Sequence, residues 1–299
     1  MLEKIVGNKE FVSCVSAAMH AGRLAHSLLI CGEEGTGADY AAKCLAADYL
    51  YPDGGEGARL VMENAAGEYV RIDGEGASGD IKIERIRNIR KEVFSTTLCA
   101  TGRAVHIAGA QKMGAPSANA LLKVLEEPPE NVIFILTAPS EAAVLPTIRS
   151  RCCTYTLSPV SREECAAYIA KNFPMHKNKA ERFSDIFGGK IGLCVKCLSD
   201  MHIQNHLNDA EKLFSLAQND DEYAAAALLS SYEKDKDGAK NMLAMFAQVC
   251  AAALKQPGLK NADCAVRCIE AAGTALSQIS SNVNQKLVLC VLGAHIAQA

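Results

Sequence analysis

The run Leu24-Ala25-His26-Ser27-Leu28-Leu29-Ile30-Cys31-Gly32-Glu33-Glu34-Gly35-Thr36-Gly37-Ala38-Asp39 decides how this chain is read. Its first half is a largely apolar stretch that stops at Gly32, as in a parallel strand covered on both faces. Gly32, Gly35 and Gly37 follow, and from Ala38 to about Tyr51 the sequence turns helical. A strand, a glycine loop and a helix in that order bring backbone N–H groups at a helix N-terminus close to a phosphate. The geometry is present but the chemistry is not. A working loop continues with a lysine for the β/γ-phosphates and a serine or threonine for Mg²⁺, whereas these positions are Ala38 and Asp39. Glu33 and Glu34 also face the place a polyanion would take. Gly32, Gly35, Gly37, Ala38 and Asp39 therefore read as a degenerate phosphate loop with no productive ATP; the glycines taken alone also fit a tight turn.

A second acidic site belongs after the strand Ala104–Ile107, where a carboxylate would hold the metal and its neighbour would orient the nucleophile. The sequence supplies Ala108 and Gly109. Loss of the lysine, the metal hydroxyl and the acidic pair together removes nearly all the electrostatic stabilisation that phosphoryl transfer needs.

Residues 2–22 read as helix, and 52–79 as a turn-rich excursion with short strand-like pieces such as Glu68–Ile72. Ile83, Ile86, Ile89 and Val93 mark an amphipathic helix, Ala104–Ala108 a strand, Ser117–Glu126 a helix and Val132–Leu136 a buried strand. This alternation predicts a parallel α/β sheet. After Cys153 strand character fades. Short helices occupy 161 to about 200, and alanine- and leucine-rich helices fill 206–299, with boundaries near Ser158-Pro159 and in the polar stretch Asp200–Asn208.

The bulk numbers fit two or three modest domains: 299 residues, 49% hydrophobic and 22% charged. A formal charge of −3, from 31 basic and 34 acidic residues, lacks the basic excess of a dedicated nucleic-acid binder. With Glu3, Lys4, Lys9 and Glu10 the first residues do not read as a signal peptide, and no long apolar run suggests a membrane span, so a cytoplasmic protein is expected. The 13 cysteines lie scattered through apolar runs and read as reduced, small core residues. The pairs Cys194/Cys197 and Cys264/Cys268 read as helical neighbours in packed helices. His26 and His106, on or beside apolar strands, read as satisfied core histidines.

The run Ser117-Ala118-Asn119-Ala120-Leu121-Leu122-Lys123-Val124-Leu125-Glu126-Glu127-Pro128-Pro129 resembles a helix and turn shared by the AAA+ subunits of bacterial sliding-clamp loaders. Phe134-Ile135-Leu136-Thr137 is similar to their sensor-1 strand, and Leu145-Pro146-Thr147-Ile148-Arg149-Ser150-Arg151-Cys152 matches their Ser-Arg-Cys motif. Arg23–Leu29 is similar to the entry into their first strand, and Asn282–Leu287 to their last helix. Within that family the motor subunits keep both nucleotide motifs. The delta-prime class commonly has a decayed site with the Ser-Arg-Cys arginine retained, and that is the combination here.

The resemblance implies an α/β AAA+ module with a P-loop-like parallel sheet at 1–156, a helical lid at 157–205 and a helical collar for oligomerisation at 206–299. It implies a component of the DNA polymerase III holoenzyme without ATPase activity of its own. Its partners would be the other clamp-loader subunits, through the collar, with the sliding clamp and primer-template DNA in the assembly. Arg151 would be an arginine finger acting in trans on the neighbour's ATP; without the motif it reads as an arginine in an ordinary surface ion pair, and Arg149 reads as structural. Two departures stand out. No cysteine lies between Tyr51 and Ile81, where family members often carry a zinc module, so neither zinc nor any other cofactor is expected. Gly192 stands where active subunits place a sensor-2 arginine. Lys82, Arg85, Arg87, Arg90 and Lys91 are candidates for tracking DNA phosphates, although alternation with Glu84 and Glu92 favours an ordinary solvated face. The competing readings are an active motor-type ATPase and a stand-alone DNA-binding module.

Overall fold

The computed structural model describes residues 1–76, 79–93, 102–255 and 262–297, and the chain divides into two compact units, Met1–Glu164 and Cys165–Ala299. In the first unit β1 (Ser27–Cys31), β2 (Tyr69–Ile72), β3 (Arg103–Ala108), β4 (Val132–Ala138) and β5 (Cys153–Thr156) form one parallel sheet in the order β2-β3-β4-β1-β5. Around it lie α1 (Lys9–His20), α2 (Ala38–Leu50), α3 (Gly55–Met62), α4 (Ile83–Val93), α5 (Ala115–Glu126) and α6 (Pro146–Arg149). The division falls in the first turn of α7 (Arg162–Asn172).

The central strands are apolar throughout because both faces of the sheet are covered. Leu28, Ile30, Ala104, Ile133 and Ile135 point to one side, where Phe11, Val15, Leu45 and Val61 of α1, α2 and α3 meet them. Leu29, Cys31, Val105, Ile107, Phe134 and Leu136 point to the other, against Ile86, Ile89, Leu121 and Leu125 of α4 and α5. The expected parallel α/β sheet is thus present.

Three local expectations are corrected. The helix read over 2–22 is interrupted: Leu2–Lys4 is a short 3₁₀ turn, and Asn8 takes a left-handed conformation at φ 45 before α1. The Asn8 side chain instead exchanges hydrogen bonds with the Ser158 backbone, at 3.0 and 2.9 Å. The excursion 52–79 contains the helix α3, whose glycines weaken its local signal; burial of Ala58 and Val61 stabilises it. The strand beyond Cys153 is real. β5 is a short polar edge strand, paired with β1 and anchored by Tyr155 packing edge-on against Phe11 at 5.4 Å.

The second unit is helical: α8 (Ala180–Phe187), α9 (Ile191–Ser199), α10 (Met201–Gln218), α11 (Glu222–Ser230), α12 (Lys236–Leu254), α13 (Ala262–Ser280) and α14 (Gln285–Ala297). α12 packs along α10 and α13, and α14 packs against α11 and α13. Asp200, Asp221 and Asp235 cap the N-termini of α10, α11 and α12 by accepting backbone N–H bonds. The boundary expected at 205 falls inside α10. The polar residues from Asp200 to Asn208 are a cap followed by a helix face, while Leu207, Ala210 and Leu213 are buried. The partition between compact units falls at 164/165. Among the described residues no helix is long and apolar enough to cross a membrane.

Candidate functional site

In an open parallel sheet, ligands bind beyond the carboxyl ends of the strands. Here that edge brings together the Gly32–Gly37 loop after β1, Asp73 after β2, Gly109 after β3 and Thr137 near the end of β4. Gly32 N–H donates to Ala138 O at 2.9 Å, holding the loop against β4. Thr36 turns back into the loop, its hydroxyl donating to Glu33 O at 2.8 Å. A Cβ at Gly32 would lie 2.3 Å from that hydroxyl oxygen. Gly37, at φ +96, precedes the first residue of α2 in a backbone region that side-chain-bearing residues avoid.

Ala38 and Asp39 open α2, so the lysine and metal-hydroxyl positions hold a methyl group and a carboxylate. Arg71, on β2, donates through Nη1 to Asp39 Oδ1 at 2.6 Å and grips Asp73 through Nε and Nη2, each at 2.7 Å. Burial alone lowers the Arg71 pKa, but its bonds and charges with Asp73 and Asp39 outweigh that, and the net shift is upward. The Arg71 bond holds the Asp73 carboxyl below its ordinary range.

His106 is fully buried beneath this pair. Its Nδ1 lies 2.7 Å from the Tyr69 hydroxyl, and its Nε2 lies 3.6 Å from Asp39 Oδ1 with no hydrogen-bond partner. Burial pushes the His106 pKa down to about 4; the Asp39 carboxylate opposes the shift and Arg71 reinforces it, so the ring is neutral near pH 7. Burial likewise pushes the Tyr69 phenol up, keeping it protonated. A Tyr69 hydroxyl that donates to Nδ1 requires the ring proton on Nε2. His106 is thus only half satisfied, whereas His26 is bonded as expected, through Nε2 to Leu125 O at 2.9 Å.

At the acidic-site position Ala108 is buried and Gly109 carries no side chain. The Gly109 N–H donates to Thr137 O at 3.1 Å and lies 3.2 Å from Thr137 Oγ1, so backbone engages the hydroxyl at the sensor-like position.

Arg151 lies elsewhere. It precedes β5, and Cys153 at the start of that strand pairs with Leu28 near the start of β1. It therefore sits at the amino edge of the sheet, the phosphate loop at the carboxyl edge. The five residues of β1 between them span roughly 15 Å at ~3.3 Å per residue. Arg151 Nε donates to Glu126 Oε1 at 2.7 Å and Nη1 to Thr147 O at 2.9 Å, with the side chain one-third exposed. Arg149 pairs with Glu141.

On α4, Ile86, Ile89 and Val93 are buried, Arg85 is half-buried, and Glu84, Arg87, Lys91 and Glu92 are exposed, as is Lys82 just before it. Arg90 belongs to the same helix, but its side chain lies outside the described residues. Cys194, Cys197, Cys264 and Cys268 are buried in α9 and α13, and Gly192 is exposed in the first turn of α9.

Sequence reasoning missed Arg71, Asp73, Tyr69 and Glu126. Arg71-Ile72-Asp73 carried a signal, since residues two apart on a strand share a face. Nothing local signals Tyr69 with His106 or Glu126 with Arg151, contacts made only when the sheet and α5 assemble.

Residues 7–161, just over half of the chain, match the family described as DNA polymerase III, delta subunit. DNA polymerase III subunit gamma of Buchnera aphidicola from Schizaphis graminum is 29% identical over 175 residues, covering 56% of this chain and 47% of that protein. DNA polymerase III subunit delta' of Haemophilus influenzae is 41% identical over 87 residues, covering 29% of this chain and 26% of that protein. The chain thus spans less than half the length of both relatives. A crystal structure of a DNA polymerase III, gamma subunit-related protein from Thermotoga maritima superposes with a TM-score of 0.58 at 18% identity, covering 95% of this chain and 98% of that one. This last likeness concerns the fold: an AAA+ α/β unit followed by helices.

Proposed function

Because this chain belongs to the DNA polymerase III delta-subunit family of clamp-loader proteins, we propose that it is a non-hydrolysing stator that completes a neighbouring subunit's ATP site with Arg151. The observation that carries this reading is that Arg151 and the phosphate loop lie at opposite edges of one sheet. An arginine so placed acts on a phosphate held by another chain or on none.

The loop itself supports the same conclusion. The metal-hydroxyl position holds Asp39, Arg71 neutralises it from within, and Ala108 and Gly109 supply no acidic group. On this reading the subunit holds no zinc and no nucleotide of its own, works in the cytoplasm, and joins the other subunits through the helices of residues 206–299. In the assembly it helps place a sliding clamp on primer-template DNA, a rigid member contributing one charged side chain to its neighbour's catalysis.

The test is DNA-stimulated ATP hydrolysis by a clamp loader reconstituted with wild-type chain and with Arg151→Ala, gel filtration checking equal assembly. A trans-acting arginine predicts a loss of ~10³-fold or more. Unchanged turnover reduces the chain to a scaffold, and hydrolysis by the isolated chain favours the motor-type reading suggested by its likeness to gamma subunits.

A further inference from the structure

We propose that Glu126 is the positioning residue for Arg151, clamping one edge of the guanidinium so that its remaining Nη2 hydrogen is held in a fixed orientation. The proposal rests on the trans-acting reading of Arg151. Arg151 donates to Glu126 Oε1 from Nε, at 2.7 Å, and from Nη2 as well. Nη1 donates to Thr147 O at 2.9 Å and to Ser150 Oγ at 3.3 Å. Guanidinium has five N–H donors in a rigid plane, and these contacts leave the second Nη2 hydrogen directed away from Glu126.

Stability does not explain this arrangement. Both side chains are substantially exposed, 32% for Arg151 and 46% for Glu126, and exposed ion pairs contribute little to folding. Glu126 is also the last residue of α5, where the helix dipole disfavours a carboxylate. What the pair does supply is order. A long arginine side chain loses rotamer freedom before it meets a phosphate, so the reaction does not bear that entropy cost in the transition state.

Both donors converge on the single oxygen Oε1, which separates geometry from charge. Glutamine keeps an oxygen acceptor there, whereas alanine removes it. The experiment measures DNA-stimulated turnover, as kcat and as KM for ATP, in loaders reconstituted with wild type, Glu126→Ala, Glu126→Gln and Arg151→Ala. For Glu126→Ala we expect kcat to fall roughly 10- to 100-fold with KM moving less than about threefold, and Glu126→Gln to stay within about threefold of wild type. Adding Glu126→Ala to Arg151→Ala changes nothing further. Wild-type or faster turnover by Glu126→Ala, with Arg151→Ala still silent, overturns the proposal; faster turnover would make Glu126 a competitor for the guanidinium. A loss in Glu126→Gln equal to that in Glu126→Ala overturns it too, because charge and not geometry then matters. Normal turnover by Arg151→Ala is a separate failure, that of the trans-acting reading itself.

Discussion

Arg71 reaches from β2 to place Nη1 2.6 Å from Asp39 Oδ1, so the carboxylate at the metal-hydroxyl position already has a cation supplied by its own chain. The pair links the first turn of α2 to a strand that β3 and β4 separate from β1, the strand that feeds the loop. Asp39 is about half exposed, at 49%, and Arg71 only 20%, so solvent screens one end of the interaction. A double-mutant cycle with Asp39→Asn and Arg71→Met should give a coupling of about 1 kcal/mol. Hydrogen exchange of the β2 amides is the readout, and additive effects would remove the pair from any structural role.

The fold was legible where burial is continuous and hidden where it is partial. Leu28–Ile30 and Val132–Leu136 announce central strands because both faces of the sheet are covered. β5 is a short edge strand with exposed ends and a half-buried middle, and its apolar anchor, Tyr155, packs on a helix more than a hundred residues away in sequence. The candidate site was half legible for a related reason. Missing chemistry can be read from Ala38, Asp39, Ala108 and Gly109 one at a time. What replaces it, Arg71 on Asp39 with His106 and Tyr69 beneath, is a set of tertiary contacts with no periodicity of its own.

Burial of His106 sets a pH dependence whose sign follows from its value of about 4 against an ordinary 6.5. Between those values the unfolded chain binds a proton that the folded chain refuses. The corresponding stability is fully present above about pH 6.5 and is lost as pH falls towards 4, by roughly 3 kcal/mol in all. Urea unfolding of wild type should therefore weaken through this window more steeply than that of the Tyr69→Phe/His106→Phe double variant, which leaves no orphan hydroxyl. Parallel curves would contradict the burial argument.

The loop glycines should respond differently to alanine. At Gly37, with φ +96, the cost is backbone strain of about 1–2 kcal/mol, which no neighbouring change relieves. At Gly32 the obstacle is the Thr36 hydroxyl, 2.3 Å from the added Cβ. Adding Thr36→Ala to Gly32→Ala should recover much of the lost thermal stability, although Leu157 O at 3.3 Å keeps the fit tight. Equal rescue of Gly37→Ala by Thr36→Ala would show that the two glycines do not have separate roles.

Any bearing of α4 on DNA would come through charge alone. Lys82, Arg87 and Lys91 are exposed, but so are Glu84 and Glu92 on the same stretch, so its field is mixed and not a basic stripe. Each basic side chain bound to a phosphate contributes about 0.9 to the slope of log affinity against log salt. For the reconstituted assembly on primer-template DNA, we expect Arg87→Ala/Lys91→Ala to leave that slope within about 0.5 of wild type, the behaviour of a solvated face. A fall of about 2 would put both side chains on the phosphate backbone and make α4 part of the DNA path. The acidic residues would then have to lie on the side of the helix turned away from the duplex, because a carboxylate facing phosphate would offset the gain from its basic neighbours.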